Sequence, residues 1–135
     1  MARAAVLTEA EINKVLKIIG VGSNSERNRI AFLLSAWAGM RVGEIAALKL
    51  KDVLNPDISV VQQVNLKAAQ TKGSKGRVVV LNDKMRKELC RYLKTRRLFD
   101  LTAPVIASQR TGKHFSNTTL CMQFSSFYKQ AGMRN

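Results

Sequence analysis

Apolar residues recur every three to four positions through the first part of the chain, which is the spacing of a helix face turned toward a core. The pattern predicts a first helix that begins after Thr8, because Thr8 and Glu11 have the spacing of a capping box. A second apolar stripe predicts a second helix that ends around Gly39, with Arg27 and Arg29 exposed in its first turns. The front of the chain is therefore expected to be helical.

The period of the apolar residues changes in the middle of the chain. A short third helix is predicted from about Gly43 to Leu50. Residues 60–66 and 77–81 then favour strands, and the glycine-containing segment 71–76 between them is typical of a turn. These segments are predicted to form a β-hairpin.

Helical spacing returns after the hairpin. Asn82 is placed to cap a fourth helix and Ser116 to cap a last one. Tyr92 and Tyr128 lie on or beside the apolar stripes of these two helices, so both are expected to pack in the core, and residues 105–107 are predicted to form a short strand. The expected fold class is α+β, a mainly helical bundle with a small antiparallel β-hairpin.

The charge of the chain narrows the choice of partner. There are 23 lysine and arginine residues against 9 aspartate and glutamate residues, giving a formal net charge of +14 in 135 residues. An excess of this size is typical of proteins that bind a polyanion, most often nucleic acid. The basic helix from Lys84 to Arg97 is interpreted equally well as a solvated face or as a face that contacts phosphates.

Other features indicate an intracellular setting. Cys90 and Cys121 lack the spacing of a metal site or of a disulfide framework and are expected to act as small apolar residues on helices. No apolar run reaches the roughly 18 residues of a membrane span, and no signal peptide is recognisable. We therefore expect a cytoplasmic protein with no membrane partner.

A charged pair lies at a break in the apolar pattern. In the segment Ala38-Gly39-Met40-Arg41-Val42-Gly43-Glu44-Ile45, a charge in hydrophobic surroundings is costly without a partner. The partner of Arg41 could be a carboxylate, Glu44 or Glu9, or a bound anion. If the hairpin folds back over the helices, Lys72 brings a second cation to the same place, and an arginine fork with a lysine suits a phosphate.

Two segments of the chain resemble motifs of one family. Residues 38–45, followed by Leu48, Leu50 and Asp52-Val53, resemble the first arginine box of the tyrosine recombinases, the phage-integrase family. Residues 71–81 resemble the β-hairpin of that family with its catalytic lysine, and the turn before the last helix also fits.

The resemblance implies DNA strand exchange through a 3′-phosphotyrosyl link, without a metal or another cofactor. Arg41 would be the first of two arginines that hold the non-bridging phosphate oxygens, and Lys72 would be the acid that protonates the departing 5′ oxygen. Glu44 would be a structural partner at the helix of Arg41 rather than a reactant. The complete protein would act in DNA integration or site-specific recombination for a phage or another mobile element.

Further cations are candidates for DNA contact. Lys75 and Arg77 lie in the predicted hairpin, whose turn would reach into a groove of the DNA. Arg110 and Lys113 lie in the turn before the last helix, and His114 is interpreted as a surface or DNA-facing residue of that turn. Double-stranded DNA is the expected partner, as for a bacterial or phage-derived protein associated with the nucleoid.

The second arginine box and the nucleophilic tyrosine of the family have no counterpart in residues 1–135. We therefore interpret 1–135 as a single partial catalytic domain, without the N-terminal core-binding domain and without the C-terminal half that carries the nucleophile. We expect it to be inactive alone. Apolar surface left uncovered would favour a homodimer, or a higher oligomer on DNA.

Two other functions stay open at this point. Residues 30–48 are compatible with a helix-turn-helix whose recognition helix contains residues 44–47, which would make the protein a non-catalytic DNA-binding regulator. That helix would offer the DNA mainly alanine, leucine and one glutamate. The net charge alone would also suit a sequence-neutral RNA-binding module, which leaves Arg41 unexplained.

Overall fold

The computed structural model describes residues 7–67, 76–96, 100–108 and 112–133. Within these ranges the chain forms helices and a two-stranded antiparallel sheet, so the predicted α+β class is confirmed. In chain order the elements are α1 Glu9–Gly20, α2 Ser25–Ala36, α3 Val42–Ala47, α4 Leu50–Val53, β1 Gln63–Leu66, β2 Arg77–Val80, α5 Asp83–Lys94 and α6 Asn117–Gln130. None of these helices is long and apolar enough to cross a membrane.

Side chains cap the helices where the sequence predicts caps. The Thr8 hydroxyl accepts from the Glu11 amide at 3.1 Å, and the Glu11 carboxylate accepts from the Thr8 amide at 2.9 Å, which completes the capping box of α1. The Asn82 side chain accepts from an amide of the first turn of α5 at 2.8 Å, and the Ser116 hydroxyl does the same for α6 at 3.0 Å. These ends are fixed by local interactions.

Helix α2 lies at the centre of the core. Five consecutive residues of it, Ile30 to Leu34, are fully buried, and the helix contacts α1, α3 and α5. Phe32 meets the rings of Phe124 and Tyr128 of α6 edge-on, with centroids 6.5 and 6.3 Å apart. The end of α2 is therefore a fixed platform for the residues that follow it.

The hairpin turns one row of side chains toward this core. Strand β1 pairs antiparallel with β2, and Leu66 lies opposite Arg77. Along β2, Val79 is buried whereas Val78 and Val80 are exposed. Because successive side chains of a strand alternate between faces, Arg77 shares the inner face with Val79.

The predicted third helix is wrong in its extent. Instead of one helix from Gly43 to Leu50, the chain forms α3 and α4, with Leu48 between them in extended backbone. The Leu48 carbonyl accepts from the Val105 amide at 2.9 Å, and the Leu50 amide donates to the Ala103 carbonyl at 2.9 Å. These tertiary hydrogen bonds replace helical ones and override local propensity.

The predicted strands also differ in extent. Strand β1 begins at Gln63, and Val60 forms an isolated bridge with Leu54 instead. The predicted strand at 105–107 is wrong: Ala107 makes only a single bridge, with His114. This stretch is held by scattered hydrogen bonds to neighbouring segments rather than by a ladder.

Arg27 and Arg29 are half-buried, so the prediction that they are exposed is wrong. The guanidinium of Arg29 forms a fork on Glu88 of α5, at 3.0 and 2.8 Å. Arg27 lies over the Phe115 ring, with its guanidinium carbon 4.8 Å from the centroid. Helix α2 is covered on this side because its central position leaves no broad solvent face.

Cys90 and Cys121 are free and exposed. They therefore do not pack as small apolar residues, contrary to the prediction.

Candidate phosphate-binding site

A glycine at the end of α2 shapes the junction that carries Arg41. Gly39 has φ +70°, a left-handed conformation that closes the helix, and the Gly39 and Met40 amides donate to the carbonyls of Ser35 and Leu34. Met40 is fully buried, and Arg41 then adopts an extended backbone, φ −77° and ψ 152°, immediately before α3. Arg41 is therefore held half-buried between two helices.

The carboxylate of Glu44 joins this junction to the hairpin. One oxygen, Oε1, accepts from the Arg41 amide at 2.9 Å and from Nη2 of Arg77 at 2.6 Å. The other oxygen accepts from Nε of Arg77 at 2.8 Å, so the guanidinium binds the carboxylate with two parallel hydrogen bonds. Nη2 of Arg77 also donates to the Gly39 carbonyl at 3.2 Å. The inner face of β2 is thus fastened to the turn that carries Arg41.

Burial and hydrogen bonding act in opposite directions on Glu44. The side chain is 2% exposed, and desolvation alone would raise the pKa of its carboxyl. Hydrogen bonds from Arg77 and from the Arg41 amide, together with the charges of both arginines, outweigh burial and hold the pKa below its usual value. The same contact raises the pKa of Arg77. Glu44 is therefore a buried anion at neutral pH.

The side chain of Arg41 makes no ion pair or hydrogen bond within the described ranges of the chain. The carboxylate that stands nearest in sequence, Glu44, is occupied by the Arg77 guanidinium and by the Arg41 backbone. Glu9, the other candidate partner, is exposed at the start of α1 and forms no ion pair with the described residues. Of the partners considered from the sequence, a bound anion is the one that this geometry leaves open for Arg41.

The structure brings together only some of the residues that the sequence predicts for the site. Arg41 and Glu44 lie together at the junction, whereas Lys72, Lys75 and Arg110 lie outside the described residues. Arg77 points inward to Glu44, and its side chain keeps 36% exposure. The sequence analysis assigned Arg77 to DNA and missed its pairing with Glu44, although the alternation Arg77-Val78-Val79 already places Arg77 on the face of the buried valine.

Lys113 and His114 lie in a turn docked beside the junction helix. Nδ1 of His114 is 2.7 Å from the carbonyl oxygen of Ala46, at the end of α3, so this nitrogen carries the proton that the carbonyl accepts. Lys113 is exposed, and its carbonyl accepts from the Ser108 amide at 2.9 Å. Helix α3, about 9 Å long, therefore has Arg41 at one end and the Lys113 turn at the other.

Both tyrosines of the chain pack in or against the core, as predicted: Tyr92 is buried and Tyr128 is partly buried. The Tyr92 hydroxyl donates to the Val105 carbonyl at 3.1 Å and the residue is almost wholly buried. Tyr128 packs edge-on against Phe32 and Phe124, and burial raises the pKa of its phenol. The Tyr92 hydroxyl is engaged by the Val105 carbonyl, and the raised pKa of Tyr128 disfavours the ionised form that a nucleophile needs.

The structure counts against a helix-turn-helix. Helix α3, which contains the supposed recognition residues, spans six residues, and Glu44, Ile45 and Ala46 are all buried. A recognition helix must present these positions to the major groove. A DNA-binding regulator of this type is therefore not favoured.

The fold built around this site is that of tyrosine recombinase catalytic domains. The crystal structure of XerA recombinase matches with a TM-score of 0.70 and 24% identity, over 97% of this chain and 43% of that one. Lambda integrase bound to DNA matches with a TM-score of 0.68 and 21% identity, over 100% of this chain and 45% of that one. The Tn1549 transposon integrase in complex with circular intermediate DNA matches with a TM-score of 0.63 and 18% identity, over 96% and 46% of the two chains.

The sequence comparison assigns the chain to a family. The model of the phage integrase family matches residues 5–135, so the chain belongs to that family. A curated relative, tyrosine recombinase XerA of Pyrococcus horikoshii, is 29% identical over 129 residues, which are 94% of this chain and 41% of that protein. The chain thus spans less than half the length of the relatives it matches.

Proposed function

We propose that this chain forms part of the catalytic domain of a site-specific tyrosine recombinase and that it binds the scissile phosphate of double-stranded DNA through Arg41. The observation that carries the proposal is the occupation of Glu44 by Arg77, which leaves the side chain of the half-buried Arg41 without a hydrogen bond or close ion pair among the described residues. Family membership and the DNA-bound structural neighbours support the choice of DNA as the ligand.

Arg41 is suited to a phosphate by geometry as well as by charge. A guanidinium presents planar, paired donors that match two phosphate oxygens, and it stays protonated at any physiological pH. Its backbone is fixed on one side by the glycine-terminated end of α2 and on the other by the bond from its amide to Glu44. Fixed donors of this kind stabilise the charge that accumulates on the phosphate in the transition state without having to reorganise.

Lys72, by the family resemblance, would protonate the departing 5′ oxygen. The described part of the hairpin supports this assignment indirectly, because the fork from Arg77 to Glu44 ties β2 to the Arg41 junction. In the sequence, Lys72 lies between β1 and β2. The catalytic role of Lys72 remains part of the proposal.

In this proposal residues 1–135 do not supply the nucleophile, because Tyr92 is buried and hydrogen-bonded and Tyr128 packs against Phe32 and Phe124. We expect the chain by itself to bind DNA but neither to cleave nor to join it. Incubation with a nicked suicide substrate, followed by denaturing electrophoresis, tests this expectation. A covalent protein–DNA adduct would contradict it.

Substitution of Arg41 tests phosphate binding directly. Arg41→Ala should weaken binding to duplex DNA to a similar degree for unrelated sequences, since a phosphate carries no sequence information. Arg41→Lys keeps the charge but loses the fork and should recover only part of the affinity. Fluorescence anisotropy with labelled duplexes measures both effects.

The matched control for Arg41→Ala is Lys17→Ala, which removes one exposed cation from the last turn of α1. Equal losses for the two variants would mean that Arg41 contributes only net charge, and the proposed phosphate site would be wrong. A loss confined to particular DNA sequences would indicate base contacts instead.

The proposal extends to self-association on DNA. Val80 is 70% exposed on the outer face of the hairpin, and Met122 is 68% exposed on α6. Val78, 53% exposed, lies beside Val80 on that outer face, and an adjacent apolar pair of this kind is where a second protein surface would bind in this proposal. Light scattering with and without duplex DNA tests for a homodimer or a higher oligomer, and a strictly monomeric mass in both conditions would contradict it.

A further inference from the structure

Helix α5 carries a continuous row of cations that the Arg41 site does not use. Lys84, Lys87, Arg91 and Lys94 are spaced by three, four and three residues, and all four are exposed. At 3.6 residues per turn they fall within about 80° of the helix circumference and extend along about 15 Å of its axis. We call these four residues the α5 stripe.

The stripe points away from the core. The buried residues of α5 lie on the opposite side of the helix: Met85, Leu89, Tyr92 and Leu93. Helix α5 packs against α2, and the Lys84 ammonium lies 5.9 Å from the centroid of the Trp37 ring at the end of α2. The stripe therefore begins beside the junction that carries Arg41 and extends away from it along α5, past the place where Glu88 pairs with Arg29 near the start of α2.

Carboxylates neutralise little of this charge. Among the described residues, Lys84, Lys87 and Lys94 form no ion pair. Arg91 lies 2.7 Å from Glu88, but Glu88 is already bound by the fork of Arg29. Two arginines thus share one carboxylate, and the pair at Arg91 leaves a net positive charge.

Helix α1 has a different distribution of charge from α5. Helix α1 has the same length of twelve residues as α5, but it balances Glu9 and Glu11 with Lys14 and Lys17, whereas α5 has five cations against two carboxylates. Mixed signs are typical of a face that only needs solubility, whereas like charges three and four residues apart repel each other and weaken a helix. Two carboxylates of α5 offset only part of this repulsion in the α5 stripe, and an external polyanion would relieve the rest.

We infer that the α5 stripe binds the phosphate backbone of double-stranded DNA at a segment separate from the phosphate held by Arg41. Over about 15 Å, duplex DNA presents roughly nine phosphate charges, enough to meet all four cations. Lysine is a flexible point charge, so the contact reads the backbone and not the base sequence. The inference rests on the proposed function for the choice of DNA.

The test compares two double variants that each remove two charges from a twelve-residue helix. Lys87→Gln with Lys94→Gln disables the stripe, and Lys14→Gln with Lys17→Gln is the matched control on α1. Glutamine and lysine have similar helix propensities, so both variants should fold, as circular dichroism and thermal unfolding will show. Binding to a labelled duplex of arbitrary sequence is measured over a series of salt concentrations.

The stripe variant should reduce the slope of log Kobs against log salt by about 1.8, which is the loss of two phosphate contacts, and weaken binding at 0.1 M salt by roughly 60-fold. The α1 variant should leave the slope nearly unchanged. Equal changes in the two variants would overturn the inference, because they would show a general effect of net charge. So would a loss of binding to anionic lipid vesicles, or to RNA, with DNA binding unchanged.

Failure of the inference and failure of the proposed function give different results. If Arg41→Ala weakens DNA binding and the stripe variant does not, the stripe is a solvated face and the Arg41 site stands. If the stripe variant weakens binding and Arg41→Ala does not, the stripe stands and the proposed phosphate site fails. If the wild-type chain binds no DNA, both are wrong.

Discussion

The ion pair between Glu44 and Arg77 should respond very differently to the loss of each partner. Glu44 is 2% exposed, whereas the Arg77 side chain keeps 36% exposure. Arg77→Met retains the aliphatic stem but leaves a buried carboxylate without its counterion. Glu44→Gln retains the shape of the acid and leaves a guanidinium that water can reach. The first change should therefore be the more damaging.

The expected sizes follow from burial. Removing the partner of a fully buried charge costs about 3–5 kcal/mol, and Arg77→Met should fall near 3 kcal/mol, since Glu44 keeps the hydrogen bond from the Arg41 amide. Glu44→Gln should cost about 1 kcal/mol, because partly exposed ion pairs contribute little. With both changes together no charge is stranded, and the cost should be about 2 kcal/mol less than the sum of the single changes.

Urea unfolding of the wild type, the two single variants and the double variant, followed by circular dichroism, measures this cycle. For a chain of this size, 3 kcal/mol corresponds to a fall in Tm of roughly 10 °C, so thermal unfolding gives a second reading. A cost for Glu44→Gln equal to or above that of Arg77→Met would refute the reasoning from burial. Additive costs in the double variant would refute the ion pair itself.

Three further outcomes are expected. The pKa of Glu44 is lower in the folded state than its unfolded value near 4.3, so the ionised carboxylate stabilises the fold above that pH, and the stabilisation is lost as pH falls through the folded pKa. In urea unfolding, the wild type should therefore lose more stability toward pH 3 than Glu44→Gln does. Parallel pH profiles of the two proteins would contradict this. Thr8→Ala removes the cap of α1 and should cost about 1 kcal/mol by the same assay, and no change would mean that the capping box is absent in solution. In an absorbance titration of the tyrosines, the wild type should show one phenol that ionises above the ordinary tyrosine pKa, and Tyr128→Phe should remove it. An ordinary pKa for that phenol would show that Tyr128 is not buried.

Part of this fold could be predicted from the sequence because it depends on local interactions. The caps at Thr8, Asn82 and Ser116 involve residues three positions apart, and all three form as predicted. The break between α3 and α4 could not be predicted, because it depends on backbone hydrogen bonds that join Leu48 and Leu50 to a segment more than fifty residues away along the chain. Such contacts leave no mark on local periodicity.

The candidate site, too, could be predicted only in part from the sequence. The position of Arg41 between two helices, and the presence of Glu44 beside it, follow from the pattern of glycines and apolar residues. The partner of Glu44 does not, because Arg41 and Arg77 are chemically equal candidates and only the packed hairpin selects Arg77, 33 residues away. The proposed phosphate site at Arg41 rests on that selection, which the sequence does not reveal.

The inward orientation of Arg77 also affects which register the two strands of the hairpin adopt. Residues 78–80 are three consecutive valines, so hydrophobicity hardly distinguishes the two faces of β2. A slip of one residue would exchange the faces, turn Arg77 outward and place a valine against Glu44. The mispaired hairpin would bury nearly as much apolar surface as the native one, but it would trap a carboxylate without a counterion. The need to pair Glu44 therefore makes the slipped register less stable than the native one, a difference that the valines of β2 alone would not produce.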